Sequence, residues 1–161
     1  MVRRAIFVAI FLLLVGVGPI QAQSTPVFKV QTAGIELCPQ FICGQAIFAG
    51  VLIGRVGINP LAIGTFVVGV THESPLPEPD QSVLITGGAF EFRVGLRRFA
   101  GSVKCGTLHN TGENTFDVLA ILELTSPGSS GHLLYAGLLD HNVFPPTVTG
   151  PVVTFFDACS I

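Results

Sequence analysis

Across residues 90–97 the apolar side chains Phe90, Phe92, Val94 and Leu96 hold one parity, and Glu91, Arg93, Gly95 and Arg97 hold the other. A period of two marks a strand with one face covered and one face wet. A break at Arg98 to Gly101 separates this run from a second, Ser102 to His109. The polar group His109-Asn110-Thr111-Gly112-Glu113-Asn114 separates the second from a third, Thr115 to Thr125. The three runs predict an antiparallel meander with the rest of the chain laid against it.

The remaining pattern extends the same theme. Ala46 to Ile58 is apolar with Gly50, Gly54 and Gly57 set into it. Each glycine would cost a helix about 1 kcal/mol against alanine, whereas a curved or bulged strand uses it for close backbone approach. Asn59-Pro60 is a turn signal, and Gly64 to Thr71 is rich in β-branched residues that favour a strand. Strands are predicted at 26–31, 46–58, 64–72, 83–97 with a break, 102–109, 115–125, 132–140 and 148–156. No segment sustains an apolar period of 3.6, and the connections are too short for βαβ crossovers, so the sheet is antiparallel. The expected fold is all-β: a single-domain antiparallel β-barrel of about eight strands, with a two-sheet β-sandwich as the alternative. Successive hairpins and glycines inside strands favour the barrel.

Two local features stand out from the strand pattern. Residues 73–81, with Pro75, Pro77 and Pro79 at alternate positions, predict a stiff extended loop. Such a loop either crosses an end of the fold or serves as a lid or partner-recognition segment. Phe48-Ala49-Gly50, Phe99-Ala100-Gly101 and Tyr135-Ala136-Gly137 each place an aromatic two residues before a glycine. This is the chemistry of an aromatic covering a glycine on a neighbouring strand.

The first residues change the picture of compartment. Arg3 and Arg4 precede an apolar run from Ala5 to Val17, and Pro19-Ile20-Gln21-Ala22 offers a small residue at a cleavage edge. This reads as a signal peptide over 1–22 with the all-β domain at 23–161, and hence as a secreted or periplasmic protein. A retained membrane anchor is the alternative, although the apolar run falls short of the about 20 residues of a comfortable span. Removing residues 1–22 leaves six Lys and Arg against ten Asp and Glu, a formal charge of −4. That balance excludes a nucleic-acid partner and a strongly anionic membrane surface. Four cysteines, Cys38, Cys43, Cys105 and Cys159, predict two disulfides in an exported chain. Cys38 with Cys43 closes a small loop, leaving Cys105 to reach Cys159. A thiolate metal site is the rival reading.

Candidate chemistry is sparse. On alternating strands Glu91, Arg93 and Arg97 share a face, and Asp117 shares one with Glu123. Placed outward they are a solvated surface; placed inward, a carboxylate from Glu91 or Glu123 beside Arg93 or Arg97 is the material for acid–base catalysis. His72, His109 and His141 fall at predicted strand ends that can converge on one rim, which makes them the candidate metal ligands. No local His-x-His or His-Glu-x-x-His set supports them. No nucleophile elbow or phosphate loop is present, and no cofactor is implied. With thirteen Phe and little charge, three function classes remain. The first is a non-catalytic exported barrel binding a small apolar or amphipathic molecule or a partner protein. The others are a cofactor-free isomerase or cyclase, and a self-assembling surface protein.

Overall fold

The computed structural model describes residues 25–155. They form eight strands: β1 (Phe28–Cys38), β2 (Ala46–Val56), β3 (Asn59–His72), β4 (Ser82–Val94), β5 (Arg97–Gly112), β6 (Thr115–Leu124), β7 (Gly131–Asp140) and β8 (Thr147–Phe155). Each strand pairs antiparallel with the next, and β1 pairs with β8 through Val30 opposite Val152 and Thr32 opposite Gly150. The sheet therefore closes as an up-and-down barrel, and the sandwich alternative is set aside. The expected signal peptide and the retained-anchor alternative lie outside the described residues. Among the described residues no helix is long and apolar enough to cross a membrane.

Closure fixes which parity points inward. Phe28 and Val30 are buried on β1, Phe90 and Phe92 on β4, and Leu122 and Leu124 on β6, so their neighbours of opposite parity face out. One pole of the barrel is filled by Phe28, Phe92 and Phe99, with the ring of Phe28 edge-on to Phe99 at 5.1 Å and tilted against Phe92 at 6.0 Å. Leu124 and Leu133 are fully buried with them. The Arg97 guanidinium lies 4.9 Å from the centre of the Phe99 ring and closes this pole from outside. Here the Ser126 hydroxyl accepts from the Ala100 amide and donates to the Ala100 carbonyl oxygen, tying the β6–β7 connection down.

The strand boundaries depart from the sequence reading in three places. The break expected at Arg98 to Gly101 is continuous strand, and the turn lies before it, with Gly95 at φ 58°. Gly101 is there for approach rather than turning: a Cβ on it would collide with the Glu123 carbonyl oxygen, and the ring of Phe90 covers it from the adjacent strand. Asn59-Pro60 belongs to β3, because Gly57, at φ 61°, takes the turn. Finally, β1 runs on to Cys38, well past the predicted end at residue 31. Its second half puts Thr32, Gly34 and Glu36 inward and Ala33, Ile35 and Leu37 outward, an inversion of the usual apolar-in pattern.

The other pole carries the longer connections. Between β1 and β2 a single helical turn, α1 (Gln40–Cys43), sits inside the Cys38–Cys43 disulfide. The Gln40 side chain accepts from the His72 amide at 2.8 Å and donates to the His72 carbonyl at 2.9 Å, acting as a surrogate strand partner for the end of β3. The proline-rich connection of residues 73–81 crosses this pole and is pinned to β5. Asn110 donates through its side chain to the Pro77 carbonyl at 2.8 Å and exchanges backbone bonds with Asp80 and Gln81. Cys105 is also disulfide-bonded, and its expected partner, Cys159, lies outside the described residues.

Candidate functional site

The aromatic filling of one pole does not reach the other. Above Phe92, Val103 and Leu122 the interior opens into a cavity of about 590 Å³ that continues to the pole bearing α1 and the proline-rich connection. Its wall is mostly apolar, with Phe48, Phe66, Val68, Val70, Leu108, Val118, Ala120 and Val152 contributing from five different strands. Phe41 of α1 and Ser74, Pro75 and Leu76 of the connection form its mouth. Two inward positions, Gly34 and Gly50, are glycine, which lets the neighbouring backbone and the Phe66 ring approach closely. Gly34 and Gly50 face each other across β1 and β2, and a Cβ on either would strike the neighbouring backbone. The Phe66 ring lies over Gly34.

Polar side chains interrupt this lining: Gln40, His72 and Ser74 at the mouth, and Thr32, Tyr135, Glu36 and His141. Thr32, inward on β1, donates its hydroxyl to the Gly150 carbonyl at 2.8 Å and is thereby satisfied. Tyr135, on β7, lies over Gly137 of its own strand, where a Cβ would collide with the Tyr135 hydroxyl. That hydroxyl is buried and has no hydrogen-bond partner. Desolvation pushes its pKa above the usual phenol range, with the nearby Thr32 hydroxyl opposing the shift, so Tyr135 is a neutral O–H donor. Nearer the mouth, Glu36 is buried on β1, with its amide donating to the Pro146 carbonyl at 2.8 Å. His141 follows β7 with its ring edge-on to Phe116 at 5.3 Å. Its Nε2 stands 3.3 Å from Glu36 Oε2, close enough for a charge contact but without the alignment of a hydrogen bond.

The residues singled out from the sequence fall in different places. Glu91, between inward Phe90 and Phe92, is on the outer face, where Arg93 and Arg98 both donate to its carboxylate, Arg98 Nε at 2.7 Å. Glu123 is also outward and pairs with Lys104 at 2.9 Å. Arg97 covers Phe99 at the filled pole. None of Glu91, Arg93, Arg97 and Glu123 lines the cavity. His72, His109 and His141 all reach the open pole, but His72 Nδ1 meets the Glu73 carbonyl at 2.6 Å and His109 Nδ1 meets the Ser82 hydroxyl at 3.0 Å. Among the described residues no group of three His, Cys, Asp or Glu side chains is placed to hold a metal. Glu36 and Tyr135 were not candidates in the sequence reading. The signal for Glu36 was the parity Phe28, Val30, Thr32, Gly34, Glu36, once β1 is extended past residue 31.

The outer carboxylates give a pH prediction. Hydrogen bonds from Arg93 and Arg98 lower the pKa of Glu91, and one from Lys104 lowers that of Glu123. Their favourable contribution is therefore complete above the ordinary Glu range and is lost as pH falls through the lowered values. Carbon-detected NMR titration should show both carboxyls titrating below the other exposed glutamates, with the difference shrinking at high salt. Ordinary titration of both at low salt would refute the pairing.

Comparison of the chain with protein-family models, with curated proteins and with solved structures yields no match.

Proposed function

We propose that the barrel binds a small, largely apolar molecule in its interior, entering through the pole formed by α1 and the proline-rich connection. The observation that carries this reading is the cavity itself: about 590 Å³ of space in a closed barrel, walled by Phe, Val, Leu and Ala side chains with a few polar groups among them. That volume lies within the ordinary range of about 300–1,000 Å³ for small-molecule sites. The burial of a ligand's apolar surface supplies the affinity, at about 25 cal/mol per Å² removed from water. With its leader removed, such a protein would act outside the cytoplasm, as a carrier or sequestering protein.

The catalytic reading drawn from Glu91 or Glu123 with an arginine loses its support, because these side chains are outward. A purely structural role would leave the interior solid, which the cavity argues against. The outer face does carry Val51, Ile53, Ile63 and Val67 side by side on β2 and β3, more than half of each exposed in the case of Val51, Ile63 and Val67.

Titration of the purified protein with an uncharged hydrophobic fluorophore, with stoichiometry read from saturation, tests the proposal. A single saturable site, displaced competitively by medium-chain ketones or alcohols, is the expected result. Fluorescence that rises without saturation, or that no small apolar compound displaces, would mean surface adsorption and would overturn it.

A further inference from the structure

Two buried polar atoms of the cavity make no hydrogen bond, the Tyr135 hydroxyl and His141 Nε2, and they stand at different levels; resting on the binding reading above, this arrangement defines a ligand class. We propose that the cavity takes an elongated apolar molecule oxygenated at two positions about 10 Å apart: an acceptor oxygen, such as a ketone, at depth and a hydroxyl near the mouth.

The deep position is set by Tyr135. Its hydroxyl lies at Gly137, across from the Thr32 and Gly150 pair, in a region otherwise walled by apolar side chains. A buried, neutral O–H that makes no hydrogen bond, although the Thr32 hydroxyl lies near it, is relieved by a well-placed ligand oxygen, so a carbonyl or ether seated there gains more than it would on a surface. Thr32 cannot supply a second donor, because its proton is committed to the Gly150 carbonyl. The deep position therefore selects an acceptor and disfavours a group that must itself donate.

The second position is set by Glu36 and His141. Thr32 and Glu36 are both inward on β1 and four residues apart, about 13 Å between Cα atoms at about 3.3 Å per residue. Allowing for the reach of the glutamate side chain, the carboxylate stands on the order of 10 Å from the Tyr135 level. Glu36 offers an acceptor and His141 Nε2, when it carries a proton, offers a donor, with the two atoms 3.3 Å apart and not hydrogen-bonded to each other. A hydroxyl is the group that answers both at once, donating to the carboxylate and accepting from the imidazole. Between the two levels Phe66 and Val148 offer only apolar contact, which suits a hydrocarbon spacer.

The test is displacement of the bound fluorophore by four ten-carbon compounds: a chain with a methyl ketone at one end and a hydroxyl at the other, the ketone alone, the alcohol alone, and the alkane. The bifunctional chain should bind the wild-type protein about tenfold more tightly than either monofunctional one, since each hydrogen bond to a buried partner contributes roughly that factor. Tyr135→Phe should remove the advantage conferred by the ketone and leave that of the hydroxyl, and Glu36→Gln should do the reverse. If the four compounds compete in order of apolar area alone, the two-point reading is overturned while binding in the cavity stands. If none competes, both readings fall. The wild-type series decides the matter even where a variant does not fold, and equal loss for all four compounds in both variants would count against the assignment.

Discussion

Phe99→Ala is expected to cost about 3–5 kcal/mol of unfolding free energy, the range for truncating a fully buried aromatic. Phe99 is 1% exposed, stacks edge-on against Phe28 at 5.1 Å and carries the Arg97 guanidinium on its outer face. Its removal opens a void that no neighbour can fill, because Phe28, Phe92, Leu124 and Leu133 are fixed by their own strands. It also strips Arg97 of its aromatic partner. Total stabilities of about 5–15 kcal/mol make this a large share of the whole. Phe48→Ala provides the internal contrast. Phe48 is also buried, but it lines the cavity, so part of its ring already faces empty space and fewer contacts are lost. Urea denaturation of both variants should show the larger loss for Phe99. Equal losses would mean that the two poles are packed alike and that the asymmetry of the barrel is wrong.

Ala120→Phe should abolish useful binding while leaving the fold intact. Ala120 is buried, points into the cavity and lies opposite Gly106 and Tyr135 on the neighbouring strands. Enlarging a residue in a filled core costs about 1–3 kcal/mol in strain, but here the ring has room to enter. Thermal stability should therefore hold or rise. The same ring takes about 100 Å² of apolar contact from any ligand, about 2.5 kcal/mol at about 25 cal/mol/Å², or on the order of a hundredfold in affinity. Calorimetric melting combined with fluorophore titration separates the two effects. A variant that melts far lower would show that the space is not available, and one that binds normally would place the ligand elsewhere.

Much of the barrel could be read from the chain because strands covered on one face advertise themselves by alternation. Phe90, Phe92 and Val94 did so against Glu91 and Arg93, and the outward setting of those charges follows from the same parity. The site was harder to see for a related reason. Where a strand lines a cavity with polar groups, its inward residues lose the apolar signature, and the second half of β1 reads as the opposite of what it is: Thr32 and Glu36 inside, Ile35 and Leu37 outside. Tyr135 was visible only as an aromatic placed before a glycine. The packing idea holds for Phe90 over Gly101 across a strand pair, but Tyr135 covers Gly137 on its own strand and thereby aims its hydroxyl up the barrel. His141 was marked by its place at a strand end. Its partner came from the far end of the chain, a pairing that exists only because β8 closes onto β1.

An even count of up-and-down strands has a directional consequence. The chain enters β1 at Phe28 and leaves β8 at Phe155 on the same side, where the Phe28 amide donates to the Thr154 hydroxyl at 2.6 Å, and that side is the aromatic-filled pole. The strand ends at Phe28 and Phe155 thus lie at the base, and the mouth points the opposite way. A linker joined directly at either of these strand ends would hold the barrel by its base and leave the opening facing the surrounding solution, in the manner of a cup standing on its foot.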